Sequence, residues 1–142
     1  MHAEGRGPQG RAVPRPRLSG LTGEFYGWLH RHELRFQRCR GCARYRHVPR
    51  ELCPHCASDT WDWARSAGRG TVFTWTTTYR ALHPAFVEVP FTQVVVELEE
   101  GPRVISSVEG IGEDELQIGM PVEVFFDDVD DELTLARFRP AS

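Results

Sequence analysis

The sequence predicts a mainly β protein with one short N-terminal helix, and three observations predict it. Its four cysteines all fall in two Cys-x-x-Cys pairs, with ten residues between the pairs. From Gly70 onward, Thr, Val and aromatic residues alternate with period two, in runs separated by Gly, Pro and acidic turns. Only the stretch around residues 22–32 carries bulky apolar residues at helical spacing.

The chain opens on a segment, residues 1–20, in which Gly5, Gly7, Pro8, Gly10, Pro14, Pro16 and Gly20 alternate with Arg and almost nothing apolar. Such a segment cannot offset the entropy of ordering and is expected to be a flexible linker or tail. Residues 21–33 then form the expected aromatic helix. Thr22 is its predicted N-cap, and Phe25, Trp28, Leu29 and His32 share one face. That stripe is expected to dock on the rest of the chain or on a partner protein.

Residues 34–67 hold the cysteines, as Cys39-Arg40-Gly41-Cys42 and Cys53-Pro54-His55-Cys56. Gly41 and Pro54 let each pair turn tightly enough to aim two sulfurs at one point. Four soft ligands on two such knuckles are the donor set of a tetrahedral, structural Zn2+ site, a rubredoxin-like zinc ribbon, with iron as the competing metal. A four-thiolate shell is closed, so the metal predicts rigidity and no substrate position. His55 sits inside the second knuckle as a spacer, not a ligand.

Residues 68–140 read as a barrel. Phe73, Trp75, Thr77 and Tyr79 are expected to share one face of a long first strand. Phe91–Leu98 forms a second strand with Val94, Val96 and Leu98 inward, and 103–108 a third. A short helical connector follows at 112–116, then strands at 122–126 and 133–138 around an acidic hairpin loop at 127–132. Five strands with a helical connection between the third and fourth are the pattern of the Greek-key barrel called the OB-fold.

The net charge of −3 conceals a division. Residues 31–50 contain seven arginines and one acid, whereas residues 97–132 contain thirteen acids and one base. Such a chain docks to a charged partner on one face, or neutralises itself by packing its halves together. No apolar run is long enough to cross a membrane, and no signal-peptide core is present. With cysteines at metal spacing, this predicts a cytoplasmic protein without membrane contact.

The order of linker, aromatic helix, four-cysteine ribbon and five-stranded barrel resembles a bacterial and archaeal family of zinc-ribbon/OB-fold acyl-CoA-associated proteins. The matching residues are Phe25-Tyr26-Gly27-Trp28-Leu29, the knuckles with Pro49-Arg50, and Gly68-Arg69-Gly70-Thr71-Val72-Phe73-Thr74-Trp75-Thr76. They continue through Val89-Pro90-Phe91, Val95, Glu97-Leu98, Glu100-Gly101 and Ile118-Gly119-Met120-Pro121-Val122, so the resemblance covers about residues 22–140. It implies a non-catalytic partner of a thiolase-fold enzyme, an acetyltransferase or a steroid side-chain aldolase. It also implies a MaoC-like hydratase domain upstream, with residues 1–20 as the linker to it.

No catalytic constellation is visible. His30 and His32 diverge on a helix, and His83, beside Pro84, is the most plausible functional histidine. Binding acyl-CoA calls for cations at its phosphates and an aromatic platform beside its pantetheine arm. Arg50, Arg69, Arg80, Trp75 and Tyr79 are the candidates, and Phe25, Trp28 and Leu29 are the candidate partner contacts. The leading expectation is therefore an accessory subunit for a thiolase-fold enzyme. The alternative is a single-stranded nucleic-acid-binding zinc-ribbon/OB module, which the acidic barrel disfavours.

Overall fold

The computed structural model describes residues 5–6, 12–13, 15–79 and 91–141. A short antiparallel pair, β1 (Gly5–Arg6) with β2 (Ala12–Val13), precedes helix α1 (Gly20–His30). Three strands build the ribbon, β3 (Arg35–Cys39), β4 (Tyr45–Arg46) and β5 (Trp61–Arg65), in the order β4-β3-β5. The barrel strands are β6 (Arg69–Thr78), β7 (Phe91–Leu98), β8 (Arg103–Ser106), β9 (Pro121–Asp128) and β10 (Thr134–Pro140), with a 3-10 turn at Glu113–Glu115.

The barrel sheet runs β10-β9-β6-β7-β8. Its two edges meet through a parallel bridge between Val108 and Phe138, where the Phe138 amide donates to Ser107 O at 2.9 Å and the Glu109 amide to Phe138 O at 2.8 Å. The five-stranded OB-fold topology and its helical connector are therefore present as expected. Strand β6 serves both sides of the barrel, pairing with β9 through Arg69–Thr71 and with β7 along most of its length. Gly70 lies at that crossing, where a Cβ would sit 2.3 Å from Glu97 O.

One face assignment on β6 is corrected. A β-bulge falls between Val72 and Thr74, so the period-two phase shifts at Phe73. Val72, 1% exposed, and Trp75 both pack on the core, while Phe73 turns outward beneath the Arg103 guanidinium, 3.8 Å from its ring centroid. A bulge adds one residue to one strand only, and strict alternation does not announce it.

The helix departs from expectation at both ends. Its N-cap is Ser19, whose side chain makes no capping bond, and Thr22 lies within the first turn. The chain crosses that turn so closely that a Cβ on Gly23 would be 2.9 Å from the Leu18 carbonyl carbon, which gives Gly23 its place. At the far end His32 adopts φ 60° and leaves the helix face, stacking on Phe126 at 5.2 Å and reaching Asp128 at 3.0 Å.

Helix, ribbon and barrel share one core. Phe25 and Leu29 of α1, Leu34 and Phe36 of the ribbon, and Val72, Val94, Val96, Leu98, Val122 and Phe138 of the barrel belong to a single buried cluster. Each fully buried Leu or Phe contributes about 1.5–3 kcal/mol, so the satellite pieces are held by the same force as the barrel. Residue Arg15 of the expected tail is also tied down, its guanidinium 2.7 Å from Asp130.

Candidate metal centre

Both knuckles have the same backbone. In the first, the Ala43 amide donates to Cys39 O at 2.9 Å and the Cys39 amide to Arg44 O at 2.9 Å. In the second, the Ala57 amide donates to Cys53 O at 2.8 Å and the Cys53 amide to Ser58 O at 2.9 Å. Each turn closes on an alanine in the left-handed region, Ala43 at φ 66° and Ala57 at φ 64°. Gly41 is required by closeness, since a Cβ there would meet the Cys56 sulfur at 3.1 Å.

The four sulfurs converge. Cys39 Sγ lies 3.5 Å from Cys56 Sγ, Cys42 Sγ lies 3.7 Å from Cys53 Sγ, and all four fall within 4.8 Å of one another. A tetrahedron with metal–sulfur bonds of about 2.3 Å has edges near ~3.8 Å, whereas a disulfide needs about 2.05 Å. The geometry fits a metal and excludes disulfides. Backbone amides of Gly41 and Cys42 donate to Cys39 Sγ at 3.2 and 3.5 Å, and that of His55 donates to Cys53 Sγ at 3.4 Å. Led by the Cys42 amide, such bonds pull the Cys39 thiol down to about 6, toward the thiolate that a metal takes. The His55 side chain is exposed, as expected of a spacer.

The remaining candidates do not form one site. Arg50 and Arg69 are exposed, and Arg69 lies near Glu99, 3.6 Å away. Trp75 is half-buried against the barrel core. Tyr79, 68% exposed, donates its hydroxyl to Glu113 at 3.1 Å. Arg69 and Tyr79 stand at opposite ends of β6, about 30 Å of extended chain apart. Arg80 and His83 lie outside the described residues. Phe25 and Leu29, 8% and 1% exposed, face the chain's own core; Trp28 is half-buried, with the Arg31 and Arg35 guanidinium groups 5.0 and 4.4 Å from its ring.

Sequence reasoning missed two features. Gln37 and Arg46, paired across β3 and β4, are buried at 0% and 6% exposure and grip the backbone of Arg50. The sequence carried little signal for this, since Gln37 stands between Phe36 and Arg38 in a strand where a polar residue is ordinarily read as outward-facing. His47 packs its ring between helix and ribbon, beside a cleft of ≈ 180 Å³ that Tyr26, Leu34, Ile105 and Leu135 also line.

Residues 29–62 match the rubredoxin-like zinc ribbon domain of ChsH2, and residues 63–127 match the ChsH2 C-terminal OB-fold domain. The solved structure of an Ltp2-ChsH2(DUF35) aldolase contains a chain 39% identical, with a TM-score of 0.81 over 90% of this chain and 100% of that one. The chain belongs to the DUF35 family of zinc-ribbon/OB-fold proteins. The ribbon is thus a zinc site, with Cys39, Cys42, Cys53 and Cys56 placed to hold the ion. A probable enoyl-CoA hydratase alpha subunit of Thermomonospora curvata is 40% identical over 90% of this chain; the chain spans 40% of that relative's length. A DUF35 domain-containing scaffold protein of Methanocaldococcus jannaschii is 30% identical over 70% of this chain and 73% of its own length. No helix among the described residues is long and apolar enough to cross a membrane.

Proposed function

We propose that this chain is an accessory domain or subunit that binds and supports a thiolase-fold enzyme acting on acyl-CoA thioesters in the cytoplasm. The observation that carries this reading is the 39% identity to the ChsH2(DUF35) chain of an aldolase assembly, matched over all of that chain. The site chemistry agrees with it. Among the described residues the four thiols share one closed metal site, which leaves no thiol for nucleophilic attack.

The reaction served is a retro-aldol cleavage of a β-hydroxyacyl-CoA in steroid side-chain degradation. The partner removes the hydroxyl proton and stabilises the enolate that develops on the thioester, and this chain supplies a rigid surface. Exposed Arg50 and Arg69 are the proposed contacts for the CoA phosphates, with Arg80 as a third, and Trp75 within β6 and Tyr79 just past its end are the proposed aromatic contacts. A MaoC-like hydratase domain joined ahead of residue 1 fits the hydratase alpha subunit that is similar over two-fifths of its length.

Purified chain and the Ltp2 component of the matched aldolase, assayed separately and mixed, test the proposal. The expected result is co-elution and acyl-CoA cleavage that needs both. An aldolase fully active alone, with no co-elution, overturns it.

A further inference from the structure

The ribbon commits two buried polar side chains to a single exposed loop. Gln37 Nε2 donates to Arg50 O at 2.9 Å, and its Oε1 accepts the Arg50 amide at 2.7 Å. Arg46 donates to the same carbonyl from Nε at 3.2 Å and from Nη2 at 2.9 Å. Arg46 is 6% exposed and, among the described residues, has no carboxylate partner; its guanidinium lies 5.3 Å from the Trp61 ring centroid, and Nη1 has no hydrogen-bond partner. Burying a cation this way is costly. The return is a fixed position for Arg50 and its neighbours.

That loop, residues 48–52, carries Val48 and Leu52 at 59% and 58% exposure, with the exposed Arg50 and Glu51 side chains between them. Arg38, Arg44 and Arg50 form no ion pair with a carboxylate among the described residues. Arg35 and Arg40 are paired with Glu33 and Asp62, so the unpaired arginines lie around the loop, and two aliphatic groups on a clamped loop beside them have the make-up of an interface anchor. A clamped loop also loses little entropy on binding. Single-stranded nucleic acid, by contrast, calls for exposed aromatics to stack on, and residues 48–52 contain none.

We propose that the 48–52 loop is the anchor by which this chain seats on its partner enzyme, in an apolar pocket rimmed by carboxylates. The inference rests on the accessory-subunit reading. It is tested by calorimetry with the Ltp2 component of the matched aldolase as the probe. Val48→Ser with Leu52→Ser raises Kd by about tenfold or more, and Arg50→Glu slows association and weakens its salt dependence. Ile118→Ser, at a barrel position 74% exposed, leaves Kd unchanged. Zinc content and melting temperature near wild type establish that each variant is folded.

Wild type that fails to bind overturns the accessory reading and this inference with it. Wild type that binds while Val48→Ser with Leu52→Ser binds no more weakly than Ile118→Ser overturns the loop assignment alone. Micromolar binding of a single-stranded oligonucleotide that Arg50→Glu abolishes assigns the loop to nucleic acid, and also overturns it.

Discussion

The imidazole of His47 lies 4.8 Å from the ring of Phe25, centroid to centroid, and pins the ribbon to the helix. Phe36 closes the other side at 5.4 Å. Burial in this apolar setting pushes the His47 pKa down to about 4 from an ordinary value near 6.5. Between those two values the unfolded chain binds a proton that the folded chain refuses, so stability falls as pH drops from about 6.5 to about 4. The full loss is on the order of 3 kcal/mol. Denaturant melts of wild type and His47→Phe across that window check it, and the variant is expected to show a flatter profile.

Cys53 is 4% exposed and its sulfur is one of the four that converge. Structural zinc contributes on the order of 10–16 kcal/mol in small zinc peptides, and its loss here removes the ribbon's clasp. Cys53→Ser, or strong chelation of wild type, is expected to abolish stoichiometric zinc and melt the ribbon while the barrel strands persist. Metal analysis with amide hydrogen exchange reads both at once; a ribbon still protected without metal contradicts it.

The paired alanines offer a gain of stability. An L-residue with a Cβ in the left-handed region costs roughly 1–2 kcal/mol, and glycine does not. Ala43→Gly and Ala57→Gly are each expected to stabilise by about 0.5–1 kcal/mol, since glycine's extra freedom in the unfolded chain offsets part of the relief. Thermal melts of holoprotein would show a rise of a few degrees for the pair.

Gly70 works in the opposite direction. Its Cβ would lie 2.3 Å from Glu97 O and 3.0 Å from the Glu97 carbonyl carbon, both backbone atoms that cannot move without opening β6 from β7. Gly70→Ala is expected to destabilise by about 2–4 kcal/mol, within the range of strained core substitutions. An equilibrium unfolding curve unchanged from wild type would contradict the close approach.

Much of this fold was legible because it is written in local patterns. Val94, Val96 and Leu98 alternate inward, as period two requires, and the acidic turn before β10 falls close to its expected place. The bulge at Phe73 was not legible, because it depends on how β6 bends to meet both β7 and β9. The Ser19 start of the helix was equally hidden. It follows from the chain crossing over Gly23, a contact that residue spacing does not encode.

The two Cys-x-x-Cys pairs by themselves determined the metal site, because ligand type and spacing are local and the knuckle needs only a few residues to form. They did not determine what surrounds it. Burial of Phe25 and Leu29 beneath the chain's own ribbon and barrel, and the Gln37–Arg46 grip on Arg50, were decided only by tertiary structure. These contacts join residues far apart in sequence or on separate strands, and packing, not pattern, selects which side of each faces inward.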